Sequence, residues 1–264
     1  MAVSPPLCVV QLTDSHLYAG AGRTLLGLDT ADSLRRVVEL AGAQQPRIDL
    51  LLASGDLSQD GSPASYQRFA ALTAPLAAPA RWVAGNHDDP QVLAQVCAGS
   101  DRLQRVTDLG NWRLIVLDSS VPGSVHGWLD EAQLQQLAAA LESAGERHLL
   151  LCLHHHPLPV GCRWLDPIGL RNAEALFALT DRHANLRAIL WGHVHQAFDA
   201  ERNGVRLLAT PSTCVQFATG SDEFRISDEL PGYRWLRLHA DGRLETGIER
   251  LAALDWTPDM NDSY

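Results

Sequence analysis

The chain has 264 residues, of which 46% are hydrophobic and 20% charged, and its 21 basic and 31 acidic side chains give a formal net charge of -10. This composition is ordinary for a folded globular protein and too apolar for a disordered one. The acidic excess and the lack of any basic block argue against a nucleic-acid-binding surface, which requires clustered positive charge. Layered α/β folds of about 200–250 residues often form one unit. We therefore expect a single domain over residues 1–264, with its core at 7–215 and C-terminal strands and a tail at 216–264.

The longest apolar runs, at residues 50–53 and 149–153, are far shorter than the ~20 residues that a membrane helix needs. Residues 1–6 carry no positive side chain, which is unlike a secretion signal. The five cysteines are odd in number, scattered and without a CxxC pair, a pattern that favours reduced thiols in a reducing compartment. We expect a cytoplasmic protein that makes no membrane contact, and the sequence leaves its oligomeric state open.

The hydrophobic pattern predicts, in chain order, short strands at residues 7–12, 50–53, 82–84, 114–117, 149–153 and 188–191. Helical spacing follows a capping region at 30–33 and recurs at 130–142 and 172–183. After residue 205 the pattern changes to short strands at 205–209, 233–238 and 244–248, which indicates a second sheet or a sheet edge. The polar tail 255–264 is predicted to be poorly ordered. Buried strands that alternate with helices are typical of an α/β layered fold.

Polar residues follow five of these strands directly, in the segments TDSH (13–16), SGD (54–56), GNHD (85–88), HHH (154–156) and GHVH (192–195). Seven of the eleven histidines lie in these segments, which is not a random scatter. Because open α/β sheets place their sites at the carboxyl ends of strands, we expect these side chains to meet. Each segment alone is compatible with a turn, a helix cap or an exposed loop, but the whole set in this order indicates a metal site.

The residue types indicate which metals would suit the site. Imidazole nitrogens and carboxylate oxygens without cysteine suit Fe, Mn, Zn or Co, and six or seven such ligands fit two ions bridged by one carboxylate. In Asp-x-His and His-x-His, residues two apart on an extended chain would point the same way. The glycines before the ligands, Gly55, Gly85 and Gly192, are expected to let the backbone turn sharply.

In this order the motifs resemble those of the calcineurin-like metallophosphoesterases, over residues 7–215: Asp14-x-His16, Gly55-Asp56, Gly85-Asn86-His87-Asp88, His154 and Gly192-His193-x-His195. Residues 154–166 and 207–217 further resemble the bacterial class III 3′,5′-cyclic AMP phosphodiesterases. The resemblance implies a four-layer αββα metallophosphoesterase sandwich. It also implies hydrolysis of cyclic AMP to 5′-AMP at a dinuclear metal centre, which would lower a cytoplasmic second messenger.

Residue by residue, the resemblance implies two sets of metal ligands that share one carboxylate. One ion would be held by Asp14, His16, Asp56 and His195, and the other by Asp56, Asn86, His154 and His193. Fe and/or Mn are the expected metals, with Zn or Co as alternatives. The family's common His-His-Pro-Pro pattern is altered here because His156 replaces the first proline. The register makes His154 the ligand and His155 the weaker candidate.

The resemblance also assigns roles toward the substrate. His87 corresponds to the family's catalytic histidine and would protonate the departing ribose 3′ oxygen after in-line attack on phosphorus. Two metal ions would give an acidic protein the positive charge that a phosphodiester anion requires. Substrate contacts are expected from five residues: His16, Asp56, Asn86, His87 and His195.

Two alternative functions remain at this point. A broader phosphodiesterase for glycerophosphodiesters or 2′,3′-cyclic nucleotides would use the same metals, and only the specificity loops would separate the two. A binding module on the same fold would be expected to lack ligands or His87, and this chain has them all.

Several further residues have open interpretations. Asp118 could support the site or simply end a strand in a turn, and Asp88 could orient a ligand histidine. The loop at 126–128 could line the substrate entrance or pack on the surface. Trp164 could stack on a purine or belong to the core.

Overall fold

The computed structural model describes residues 5–261. Within this range the strands are β1 (Leu7–Leu12), β2 (Thr24–Leu25), β3 (Leu28–Asp29), β4 (Leu50–Ser54), β5 (Ala80–Val83), β6 (Val106–Leu109), β7 (Trp112–Val116), β8 (His148–Cys152), β9 (Leu186–Trp191), β10 (Phe198–Arg202), β11 (Val205–Ala209), β12 (Gly232–Leu238) and β13 (Leu244–Arg250). The α-helices are α1 (Thr30–Gln44), α2 (Pro63–Thr73), α3 (Pro90–Val96), α4 (Glu131–Glu142) and α5 (Ala173–Thr180).

Two mixed sheets form the centre of the molecule. The first has the strand order β13-β12-β1-β4-β5 and the second has the order β10-β11-β9-β8-β7-β6. In the first sheet β1, β4 and β5 are parallel to one another. In the second sheet β7, β8, β9 and β11 are parallel. The carboxyl ends of the parallel strands therefore lie at one edge of each sheet.

Three hydrophobic clusters define four layers. Alternate side chains of both sheets, among them Val9 and Leu150, form one cluster between the sheets. The opposite face of the first sheet, with Val10, packs against α1, α2 and α3. The outer face of the second sheet, with Leu151, packs against α4 and α5. Strands buried on both faces read as continuous apolar runs, which explains why the sequence identified them.

The elements after residue 205 join the two sheets and do not form a separate sheet, and among them only β13 lies at a sheet edge. β11 extends the second sheet beside β9, and β12 and β13 extend the first sheet beside β1. The expected capping region of α1 is shifted, because Asp29 is the N-cap and its carboxylate accepts from the backbone N–H groups of Ala31 and Asp32 at 3.0 Å. Helices α2 and α3 were not predicted.

The prediction of a poorly ordered tail is wrong for the part that the structure describes. The Trp256 side chain packs against the outer core of the second sheet, and its Nε1–H donates to the carbonyl of Leu26 at 3.1 Å. The backbone N–H of Asp259 donates to the same carbonyl at 3.0 Å. Tryptophan burial thus docks an otherwise polar segment. Residues 1–4 and 262–264 lie outside the described residues, and with them most of the segment 1–6 interpreted above and the end of the predicted tail.

Two findings bear on the environment of the protein. All five cysteines are buried and free. Among residues 5–261, none of the helices combines the length and the apolar character that crossing a membrane would take.

Candidate metal centre

The loops that follow β1, β4, β5, β8 and β9 converge where the two sheets meet, and they bring the predicted ligands together. Backbone hydrogen bonds join these loops, since Asp14 N donates to Gly55 O at 3.0 Å and His16 N donates to Asp56 O at 2.9 Å. Two of the predicted residues, Asn86 and His87, are partly exposed. The others are buried, namely Asp14, His16, Asp56, His154, His193 and His195.

The backbone at the ligands is left-handed rather than extended, which corrects the spacing argument. Eight non-glycine residues have positive φ within residues 5–261, and five of them are predicted ligands, with φ of 46–66°: Asp14, His16, Asp56, His193 and His195. This conformation costs roughly 1–2 kcal/mol for a residue with a Cβ. Such strain persists where the surrounding structure enforces it, and it concentrates at functional sites.

The three glycines serve two different purposes. Gly55 has φ of +101° and does provide the expected turn. Gly85 and Gly192 do not adopt positive φ. A Cβ at Gly85 would instead overlap the Asp56 carboxylate, and a Cβ at Gly192 would overlap the side chains of Thr13 and Asp14. At these two positions glycine permits close approach of the ligands.

Each buried ligand imidazole directs one nitrogen to a fixed oxygen acceptor. His16 Nδ1 lies 2.5 Å from Gln59 Oε1. The other three pair with backbone carbonyls, namely His195 Nδ1 with Val215 O at 2.8 Å, His154 Nδ1 with Ser54 O at 2.8 Å and His193 Nε2 with Ile168 O at 3.1 Å. An oxygen acceptor places the proton on the nitrogen that faces it and leaves the lone pair on the other nitrogen. In the neutral rings, the lone pair is therefore on Nε2 of His16, His154 and His195 and on Nδ1 of His193.

In the first group, the nitrogen atoms that carry the lone pairs face one another, as the ligand atoms of one metal ion would. His16 Nε2 and His195 Nε2 are 3.1 Å apart, and Asp14 Oδ1 lies 3.4 Å from His195 Nε2. With their protons on Nδ1, the two imidazoles direct their Nε2 lone pairs toward each other, an arrangement that a cation near both would stabilise. We call Asp14, His16 and His195 the His16 half of the site.

The second group converges on the same carboxylate. Asp56 Oδ2 lies 3.2 Å from His154 Nε2 and 3.9 Å from His16 Nε2, so it reaches both halves. Asn86 Oδ1 lies 3.3 Å from His154 Nε2. We call Asn86, His154 and His193 the His154 half, with Asp56 shared. The donors of both halves are nitrogen and oxygen, which suits the metals named above.

The ionisation of the site is set by burial and by close charges. Burial lowers the pKa of His16 to about 3, with a further contribution from His87, and burial holds the pKa of His193 well below its usual range. Although burial acts to raise it, the pKa of Asp56 is held well below its usual range by the nearby His154 and His87. Burial opposes protonation of His154, yet Asp56 raises the pKa of His154 to about 9. A metal ion bound there would displace that proton.

The residues His155 and His156 are buried beside the His154 half and do not form an exposed loop. The His155 Nδ1 atom lies 2.8 Å from Ser119 Oγ, and its ring centroid lies 4.7 Å from that of His193. The His156 ring stacks on His193 with centroids 5.5 Å apart. Burial lowers the pKa of His156 to about 4. Both rings therefore pack around His193 as neutral side chains.

His87 lies at the entrance of the site. Its backbone N–H donates to Asp56 Oδ1 at 2.8 Å, and its ring meets the His16 ring edge-on with centroids 4.8 Å apart. The Asp56 carboxylate thus positions the His87 backbone, and the imidazole stands at the open side of the cluster. Cys214 lies near His16 and His195, and burial raises its pKa to about 12.

Asp88 does not orient a ligand histidine. Its carboxylate accepts from the backbone N–H groups of Gly85 at 2.8 Å, Ser58 at 3.0 Å and Leu57 at 3.2 Å. It therefore ties the loop after β4 to the loop after β5. Burial and the nearby charge of Asp56 raise the pKa of Asp88 to about 7.

The remaining open residues have structural contacts. Asp118 pairs with Arg105 at 3.2 Å and accepts from the backbone of Ser120, as a turn residue does. Trp164 packs edge-on against Phe217 with centroids 5.0 Å apart, and Phe217 stacks on His195 at 4.2 Å. Trp164 therefore packs, through Phe217, against the predicted ligand His195.

Sequence comparison identifies the family. The sequence model of the calcineurin-like phosphoesterases matches residues 8–197, which is most of the chain. The chain belongs to this family. Members of the calcineurin-like phosphoesterase family are metal-dependent hydrolases, and the clustered aspartate and histidine side chains described above support a dinuclear metal centre.

Individual relatives match nearly the whole chain. It is 58% identical over 250 residues to the 3′,5′-cyclic adenosine monophosphate phosphodiesterase CpdA of Pseudomonas aeruginosa, covering 95% of this chain and 92% of the relative. It is 45% identical over 253 residues to the protein of the same name from Escherichia coli strain K12, with the same coverage. A dimetal phosphatase structure from Danio rerio has a TM-score of 0.67 at 17% identity, covering 94% of this chain and 99% of that one. This last likeness shows the fold, and the predicted αββα sandwich is confirmed.

Proposed function

We propose that this calcineurin-like phosphoesterase hydrolyses 3′,5′-cyclic AMP to 5′-AMP. The proposed substrate rests on the 58% identity, over 95% of the chain, to a protein named as a cyclic AMP phosphodiesterase. The chemistry is supported by two groups of nitrogen and oxygen donors that share Asp56. In a protein of net charge -10, a phosphodiester anion needs local positive charge, and metal ions bound by these donors would supply it.

We propose that one ion is held by Asp14, His16, Asp56 and His195, and that the other is held by Asp56, Asn86, His154 and His193. When bound, the ions supply positive charge for the phosphate and lower the pKa of water, so that water can attack phosphorus at neutral pH. Fe and/or Mn are our proposed metals, because the donors include no thiolate. Zn and Co suit the same donors.

The protein's own side chains would then orient the phosphate and supply a proton. His87 stands at the open side of the cluster, with its backbone fixed on Asp56 Oδ1. We propose that its imidazolium gives a proton to the ribose 3′ oxygen as the bond to phosphorus breaks. His16, Asp56, Asn86 and His195 surround the position of the phosphate and would contact it with His87.

We propose that the enzyme acts on the cytoplasmic pool of the messenger and lowers its concentration. Five buried cysteines without a disulfide support a reducing compartment.

The test is hydrolysis by metal-stripped protein that is reloaded with Mn²⁺ or Fe²⁺. The substrates are 3′,5′-cyclic AMP, 2′,3′-cyclic AMP and a glycerophosphodiester at equal concentration, and the products are separated by chromatography. We expect metal-dependent release of 5′-AMP, with a clear kcat/KM preference over the other two substrates. Comparable turnover of all three would indicate a general phosphodiesterase. No turnover with metals bound would indicate a binding module.

A further inference from the structure

A cleft of about 660 Å³ opens beside His87. Its walls come from three segments: residues 59–61 after β4, residues 87–91 in the loop after β5 and the start of α3, and residues 122–123 after β7. Both sheets therefore contribute to the cleft, and two of its lining residues, Gln59 and His87, contact the ring of the predicted metal ligand His16. A group attached to a phosphate at the metal centre would extend into this cleft.

The chemistry of the walls differs from that of a phosphate site. Pro90 and Pro122 bring apolar rings from loops of different sheets, and Gln91 brings a carboxamide. The exposed residues Asp60 and Asp89 bring carboxylates. None of the residues that line the cleft, within the described range 5–261, is an arginine or a lysine. The cleft therefore offers no positive side chain to a second anionic group.

Both carboxylates are fixed by backbone donors. Asp60 accepts from the N–H groups of Ala19 at 2.8 Å and Ser62 at 3.1 Å. Asp89 is the N-cap of α3 and accepts from Gln91 N at 2.9 Å. These bonds hold the two acidic groups in place at the walls.

We propose that this cleft is the nucleoside subsite, and that its walls select phosphodiesters whose sugar and base carry no further negative charge. The proposal rests on the function proposed above, because the phosphate is taken to lie at the metal centre and the 3′ oxygen beside His87. From that position the ribose and base continue into the cleft, whose volume is in the range of about 300–1,000 Å³ that holds small ligands. The proline rings provide apolar contact for the base, and the carboxylates and carboxamides accept or donate hydrogen bonds.

Gln91 and Gln95 offer a matched pair of variants. Both are exposed on α3, four residues apart on the same helix face. Gln91 lines the cleft, whereas Gln95 does not. Gln91→Trp would fill part of the cleft, and Gln95→Trp makes the same change of side chain one turn farther along the helix.

The experiment measures binding of 5′-AMP and of inorganic phosphate to the Mn²⁺-loaded full chain by titration calorimetry. Phosphate needs only the metal centre, whereas 5′-AMP needs the cleft as well. We expect Gln91→Trp to weaken 5′-AMP binding by about tenfold, which is about 1.4 kcal/mol, and to leave the Kd of phosphate unchanged. Gln95→Trp should change neither Kd. Adenosine 3′,5′-bisphosphate should bind wild type more weakly than 5′-AMP, and Gln91→Arg should reduce that difference.

Unchanged 5′-AMP binding in Gln91→Trp, or equal weakening in Gln95→Trp, would overturn the proposal. Tighter binding of the bisphosphate to wild type would overturn the part that concerns charge. These results do not depend on turnover. If wild type fails to hydrolyse cyclic AMP but shows the expected binding pattern, the subsite stands and the proposed substrate falls.

Discussion

The two halves of the metal centre hold their imidazoles by different means. In the His16 half, His16 is anchored by a side chain, the Gln59 carboxamide, and His195 by a backbone carbonyl. In the His154 half, His154 and His193 are both anchored by backbone carbonyls. A backbone acceptor survives any substitution of its residue, whereas a side-chain acceptor does not. The His16 half is therefore the half that a mutation outside the predicted ligands can weaken most directly.

The largest effect is expected where both halves meet. Asp56→Asn removes the negative charge that the two groups of donors share, so both ions should bind more weakly. We expect kcat/KM to fall by at least about a thousandfold, which is the loss of about 4 kcal/mol of transition-state stabilisation. Steady-state kinetics and metal content by mass spectrometry measure this. Asp118→Asn, a turn residue outside the site, is the control, and full metal content in Asp56→Asn would contradict a bridging role.

The next comparison is between His154, in the His154 half, and its neighbour in the chain, His155. His154→Ala should lose one of two bound ions per chain, because it deletes a proposed ligand. His155→Ala should keep both ions and lower the free energy of unfolding by about 1–3 kcal/mol, because the buried hydrogen bond between the His155 imidazole and Ser119 Oγ is lost. Metal stoichiometry and chemical denaturation separate the two outcomes. Loss of an ion in His155→Ala alone would reverse the assignment.

His87→Ala tests the imidazole that contacts the His16 ring and also lines the cleft. General acid catalysis contributes about 100-fold or more, so kcat on cyclic AMP should fall by at least that amount with both ions retained. The loss should shrink for a diester whose leaving group is p-nitrophenolate, which needs no proton. An equal loss on both substrates would argue against proton donation by His87.

The smallest effect is expected from the side-chain anchor of the His16 half. Gln59→Leu removes the acceptor for His16 Nδ1, and we expect the affinity for one Mn²⁺ to fall by about tenfold. Gln59→Glu keeps an acceptor at the same place and should retain the affinity. Calorimetric titration of metal-stripped protein gives both values. If Gln59→Leu and Gln59→Glu have the same affinity for Mn²⁺, the hydrogen bond from residue 59 does not orient His16.

The sequence anticipated the strands and the residues that gather at their ends because both leave a direct signature. Buried parallel strands are continuous apolar runs, and Asp14, Asp56 and His154 are polar residues at or just beyond their carboxyl ends. The anchors of the imidazoles could not be anticipated in the same way. Every residue has a carbonyl, so nothing in the sequence marks those of Ser54 and Val215 as acceptors.

Other features were missed although a signal was present. Helices α2 and α3 both begin with proline at the first helical position, after the N-caps Ser62 and Asp89, which is a recognised start signal. The left-handed backbone of His193 and His195 had no such signal, since histidine rarely adopts it. Packing of the loops against Asp14, to which His193 N donates at 3.0 Å, enforces that conformation.

The most direct test of a dinuclear phosphodiesterase is a titration of metal-stripped protein with Mn²⁺, with bound ions and released 5′-AMP followed in the same samples. We expect cyclic AMP hydrolysis to rise until two ions are bound per chain and then to stop rising. Full activity with one ion bound, or no 5′-AMP with two ions bound, would contradict the account.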